Sequence, residues 1–334
     1  MTRDLLFAVA AGVASALVGL AFLAHAPGAV LLIYLGPLPL LLAGLGLGFR
    51  TAFIAATVGV LVSGLLAGAP AMLLYAAGHA LPALIVVWLA LARRAGVNIL
   101  VGGPAEESDP NAPAEHGMPG PVEWYPHGHI VAWLATLAAT MIVGAALLFS
   151  SGEGFRETVS GHIENGLAVL APMLGGADLK QINITIVGLF PGWIGVSWAV
   201  MCVVNAIAAE AILTRAGQAI RPKPAWADMT LPDWLSWVLV GAALLALIGP
   251  GDVGYTGRNL ALALALPHFL FGLVVVHGLA RRTPQPGAIL FAFYVALFFS
   301  AWAMLAVAAI GVLEHWIGLR NRIPGGPQAG SNTP

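Results

Sequence analysis

Long apolar runs alternate along the chain with short polar breaks. A helix needs roughly 20 residues to cross about 30 Å of hydrocarbon. Nine runs meet or approach that length: 5–24, 30–49, 51–67, 70–92, 129–149, 189–214, 231–248, 257–280 and 288–315. The third and seventh are short, which makes eight the alternative count. The pattern predicts an all-α fold, a polytopic transmembrane helical bundle of 8 to 9 spans forming a single transmembrane domain over 1–317.

Two polar segments interrupt the runs. Residues 93–128 read as a flexible cytoplasmic loop, because the proline, glycine and acid of its Gly102 to His129 part bury too little apolar surface to fold alone. His116, His127 and His129 with Glu106, Glu107, Asp109, Glu115 and Glu123 are metal-ligand types, but nothing in their spacing fixes a geometry, and no metal is expected. Residues 150–188 read as an extracytoplasmic amphipathic segment, with Phe155, Val159, Ile163, Leu167 and Leu170 at helical spacing. Glu153, Glu157 and Glu164 beside Arg156 make its polar face too acidic for a lipid-surface helix, so it is expected to pack on the protein itself. The tail, 318–334, reads as disordered.

Composition agrees with the pattern: 59% of the 334 residues are hydrophobic and 9% charged, with mean hydropathy +0.90. The lipid bilayer is therefore the first partner. A net charge of -1 leaves no footprint for nucleic acid, and the single cysteine, Cys202, allows neither an intrachain disulfide nor a cysteine-based metal site. The chain carries no GxxxxGK[ST], HExxH, CxxC or GxSxG motif. No enzyme and no cofactor are expected, and any ATP-driven step would need a separate ATPase.

Lysine and arginine set the expected orientation. With the N-terminus cytoplasmic, Arg3, Arg50, Arg93, Arg94, Arg215, Arg221, Lys223, Arg281 and Arg282 lie inside, whereas Arg156, Lys180, Arg258, Arg320 and Arg322 lie outside. Arg320 and Arg322 pull the other way at the C-terminus, whose side stays open. A cleaved signal peptide is the weaker reading of the first run, since its start is neutral and a proline follows "LAHA". The alanine, glycine and proline load suits a GC-rich bacterium and places the chain in the inner membrane.

Polar groups at membrane depth are expensive and need a reason. Tyr75 and His79 stand four residues apart just before Pro82, which removes the usual helical partner of the Gly78 carbonyl. Asn205 lies mid-span, and Glu210 lies near enough to Arg215 for neutralisation. In the eighth run His268 shares a face with Gly257, Ala261, Ala265 and Gly272 and is expected to point into the bundle, while Asn259 and His277 sit near opposite ends within reach of headgroups or water. His79 and His268 fit either interhelical hydrogen bonds or ligand and proton handling. Pro37 and Pro39 break the second run, where Gly44, Gly46 and Gly48 follow. Ala8, Gly12 and Ala16 form a small-residue stripe suited to docking a helix.

The order of "PLPLLLAGLGLG", "ALPALIVVWLAL", Asn205, "LPDWLSWVL" and "NLALALALPHFLFGLVVVHGLARR" resembles the YybS-like predicted bacterial membrane proteins, a domain-of-unknown-function family. The resemblance runs from Leu5 to about Trp316. It implies a relation to the substrate-binding S components of energy-coupling-factor transporters and to the rod-shape protein MreD. By that relation the stripe Ala8, Gly12 and Ala16 would dock a coupling subunit, and Tyr75, His79, Asn205 and His268 would bind a small ligand. The alternative it implies is a non-transport envelope scaffold with cell-shape proteins as partners.

Overall fold

The computed structural model describes residues 3–24, 28–96, 120–170 and 178–318. The tail from 319 onwards and linker residues 97–119, with His116 and most of the acidic candidates, lie outside the described residues. The chain read as one transmembrane domain divides into two compact units, 1–126 with 209–223 and 127–208 with 224–334.

In the first unit α1 (Arg3–Gly19), α2 (Ala29–Ile33), α3 (Pro37–Leu47), α4 (Phe49–Tyr75) and α5 (Leu81–Ala90) are followed by a two-stranded antiparallel ladder, β1 (Arg93–Gly96) and β2 (Gly120–Trp124). The ladder pairs Arg93 with Trp124 and Arg94 with Glu123, so the two ends of the expected flexible loop are tied together. Pro37 opens α3, where a missing N–H costs nothing.

From Phe49 to Ala90 the chain reads as 42 residues of continuous apolar helix, yet Gly68 breaks it with φ 81° and ψ 177°, a conformation that only glycine adopts readily. A Cβ on Gly59 would overlap the Tyr75 hydroxyl. Those positions would lie about 24 Å apart on a straight rod at roughly 1.5 Å per residue. The stretch is therefore a helical hairpin whose arms coincide with the predicted runs 51–67 and 70–92. Ala8, Gly12 and Ala16 are buried against its first arm, where a Cβ on Gly12 would overlap the Ala55 carbonyl. The stripe does dock a helix, but the helix is the protein's own.

The second unit contains α6 (His127–Leu148), α7 (Phe155–Leu170), α8 (Leu179–Val187), most of α9 (Phe190–Arg215), α10 (Asp233–Ile248), α11 (Gly251–Ala280), α12 (Pro286–Phe299) and α13 (Ala301–Ile317). Its core joins Phe155, Met229, Leu235, Tyr255, Leu264 and Phe271. The amphipathic segment packs on the protein as expected. The Asp252 carboxylate accepts from the backbone N–H groups of Phe155 (2.7 Å) and Arg156 (3.2 Å), satisfying donors that the first turn of α7 leaves open. The Asn183 amide of α8 donates to Ser160 Oγ of α7.

Among the described residues four helical stretches are long and apolar enough to cross a membrane, or five when a bent pair is taken as one. The expected 8 to 9 spans are not reached on that measure. The shortfall has local causes: the hairpin 49–90, two predicted runs, counts once, α1 has 17 residues, α10 has 16, and Gly36 and Pro37 interrupt the second run. The last run, expected as one span, is two helices bent by 116°, with Ser300 capping α13 through its side chain.

At the centre of this unit α11 and α13 approach backbone to backbone. A Cβ on Gly311 would overlap the His268 carbonyl, and one on Gly272 would overlap that of Val307. Gly311→Val is expected to destabilise the protein by about 1–3 kcal/mol through overpacking. Gly241→Ala, placed where nothing lies within 4 Å, is expected to be neutral or stabilising. Thermal unfolding in detergent checks both, and equal melting of the two variants would contradict the packing.

Candidate functional site

Two polar centres lie inside the helices, one in each unit. In the first, Tyr75 ends α4 and His79 sits in a π-helical turn, Ala76–Ala80, through which the Leu81 N–H reaches back to the Ala76 carbonyl. Pro82 explains the turn, because its missing N–H spoils α-helical pairing one turn earlier. Gly78 is not without a partner.

The Tyr75 hydroxyl donates to Ser15 Oγ at 2.6 Å, and Ser15 Oγ donates to the Gly36 carbonyl at 2.6 Å. The Tyr75 and His79 rings stack at 5.3 Å with 15° between planes. His79 Nε2 lies 3.2 Å from the Ile33 carbonyl. A carbonyl only accepts, so Nε2 carries the proton and Nδ1 of the neutral ring is left as an acceptor. That Nδ1 is buried and meets no donor. Gly36 is required beside it, because a Cβ there would overlap the imidazole.

The second centre is built on α11. His268 is fully buried, as its small-residue face predicts. Its Nδ1 lies 3.3 Å from the Leu264 carbonyl, so Nδ1 donates and Nε2 accepts from the Ser236 hydroxyl of α10 at 3.1 Å. The ring faces His315 at 6.3 Å, and His315 Nε2 lies 3.7 Å from the exposed Asp233 carboxylate. His129 of α6 lies in the field of both.

Asn259 corrects its expected place near headgroups or water. It is fully buried, its Oδ1 accepting from the Gly192 N–H at 2.8 Å while Nδ2 donates to the carbonyls of Tyr255 (2.8 Å) and Gly188 (3.3 Å). Together with the Tyr255 hydroxyl on the Val187 carbonyl, it fastens the α8–α9 turn to α11. His277 uses Nδ1 on the Leu273 carbonyl and Nε2 with the Tyr294 hydroxyl.

Of the four residues expected to bind a ligand, Tyr75 and His79 are together in the first unit. Asn205 and His268 belong to the second, and the Asn205 amide donates to the Met201 carbonyl of its own helix. Arg221 and Lys223 are the charges that act on Glu210. Burial pushes the Arg221 guanidinium below its usual range, and Glu210 opposes that shift. Ser15 and Ser236 were not singled out from sequence, since a serine in an alanine-rich helix gives no signal until its partner is known. Among the described residues no group of three or more His, Cys, Asp or Glu is placed to hold a metal ion.

Residues 129–314 match the predicted membrane protein family DUF2232. The chain belongs to this family. The match agrees with the YybS-like resemblance, and no curated protein or solved structure matches the chain. The DUF2232 region contains Asn205, Ser236, Asn259 and His268, whereas Tyr75 and His79 precede it. Membership establishes a membrane protein of unknown function.

Asn259→Ala removes three hydrogen bonds at once and strands the Gly192 N–H. A loss of about 1–3 kcal/mol is expected. Asn259→Asp keeps the acceptor for Gly192 but sets a second oxygen against the Tyr255 and Gly188 carbonyls and buries a carboxylate, so it should be no more stable than Asn259→Ala when the two variants are melted side by side in detergent. Wild-type melting of Asn259→Ala would show that the clasp contributes nothing.

Proposed function

We propose that this chain is a transport-related, small-molecule-binding membrane subunit, resembling the S components of energy-coupling-factor transporters, in the bacterial inner membrane with its N-terminus cytoplasmic. The observation that supports this reading is His79 Nδ1, a buried acceptor without a donor, held beside Tyr75 in a π-helical turn. An unpaired polar atom away from water costs about 1–3 kcal/mol by mutational measures. A hydroxyl or N–H of a bound solute supplies the missing donor. No arginine or lysine stands among the described buried residues, which argues for a neutral or weakly charged ligand.

The reading asks no catalysis of this chain. ATP hydrolysis belongs to a separate ATPase with its coupling subunit, which engages a surface other than the buried stripe of Ala8, Gly12 and Ala16. A second reading, a non-transport envelope scaffold resembling MreD, is favoured by one observation: in the second unit Asn259 and both nitrogens of His268 are spent on neighbouring chain groups.

Purification from native membranes in mild detergent, with mass spectrometry of retained small molecules, separates the two. The transport reading expects one enriched metabolite, its retention lowered about tenfold by His79→Ala, a loss equivalent to one hydrogen bond of about 1.4 kcal/mol. Tyr75→Phe, which breaks the bond to Ser15, should weaken retention without unfolding the protein. Preparations that carry envelope-assembly proteins and no metabolite, with variants that lose only thermal stability, would leave the scaffold.

A further inference from the structure

An open groove of about 620 Å³ lies within the second unit, between α9 and α11, and none of the hydrogen-bonded centres above accounts for it. Val203 and Ile207, one turn apart on α9, form one wall. Leu270 and Val274 on α11 line the groove too, and just past the end of that helix the lining changes to Arg281 and Arg282. Trp226, in the segment before α10, also lines the groove. Both walls belong to helices long and apolar enough to cross a membrane.

We infer that this groove binds an anionic phospholipid, its acyl chain along the apolar walls and its phosphate at Arg281 and Arg282. The change from the apolar face of α11 to the basic pair that follows its end matches the change from chain to headgroup along one lipid. Both arginines are exposed, and the lining holds one carboxylate, that of Asp228. His277 is already engaged by Leu273 and Tyr294. Tryptophan and arginine, both in the lining, are side chains that anchor at headgroup layers, and basic pockets between membrane helices hold anionic headgroups. A soluble metabolite would meet mostly apolar walls that offer it few polar contacts.

Gly278 gives a clean probe. It lines the groove, and a Cβ built on it has nothing within 4 Å, so a larger side chain enters the groove without disturbing packed atoms. The full chain, delipidated in detergent, is titrated with phosphatidylglycerol or with phosphatidylcholine of the same acyl chains, and bound lipid is counted by native mass spectrometry.

The expected result is one phosphatidylglycerol retained in preference to phosphatidylcholine. Arg281→Gln and Arg282→Gln should each weaken the anionic lipid about fivefold, the equivalent of one basic residue near a headgroup. Gly278→Leu should weaken both lipids while the melting temperature stays at the wild-type value. Equal retention of the two lipids, or wild-type retention of phosphatidylglycerol by the arginine variants or by Gly278→Leu, would overturn the inference and leave the arginines as ordinary anchors at a helix end.

Discussion

The second unit depends on the approach of α11 to α13 at backbone distance. Gly311 lies against the His268 carbonyl and Gly272 against that of Val307, contacts that any side chain would prevent. Without a hydrophobic force between helices in lipid, association relies on dispersion at close range and on polar contacts. Small residues supply the first of these. The same contact sets where His268 stands, because the carbonyl against Gly311 is its own, and its ring then faces Ser236 on α10. Tyr255 and Asn259, further along α11, fasten the α8–α9 turn. One helix thus fixes the places of its neighbours through a glycine face and three polar side chains.

What could be read from residue order follows from this physics. The inward face of His268 was legible because glycine and alanine recur on it, and the hairpin break was legible because a glycine and a proline separate two apolar runs at Gly68 and Pro70. The packing of α7 was legible from its acidic polar face. Other features depend on partners distant in the chain. Asn259 looked like an end-of-span residue, yet it is buried because the α8–α9 turn folds onto it, and no periodicity in α11 announces that turn. The bend at Ser300 is similar: the run 288–315 is apolar throughout, and a single serine cap ends one helix and starts another. Hydropathy measures the solvent a segment prefers and is blind to a change of direction within that solvent.

The same limit explains the destination of the small-residue stripe on α1. Ala8, Gly12 and Ala16 mark a surface that accepts a helix, but small side chains carry no information about which helix. The first arm of α4 follows within the same unit and meets the stripe through Ala55 and Val58, so the local partner prevails over an external one. A coupling subunit that used this face would have to displace an internal helix.

The two buried histidines show how hydrogen-bond accounting separates structural from available groups. Each ring has one nitrogen fixed as a donor by a backbone carbonyl, Leu264 for His268 and Ile33 for His79, so each neutral ring has one acceptor left. For His268 that acceptor is met by the Ser236 hydroxyl across a helix interface, and the ring is complete. For His79 the nearby hydroxyl groups point elsewhere: Tyr75 donates to Ser15, and Ser15 donates to Gly36. The chain has thus spent its adjacent donors on each other and left Nδ1 as an open acceptor. Two residues equivalent in a hydropathy profile, each a lone histidine in an apolar run, differ in whether a donor lies within reach. That difference leaves His79 with an acceptor still open and His268 with none.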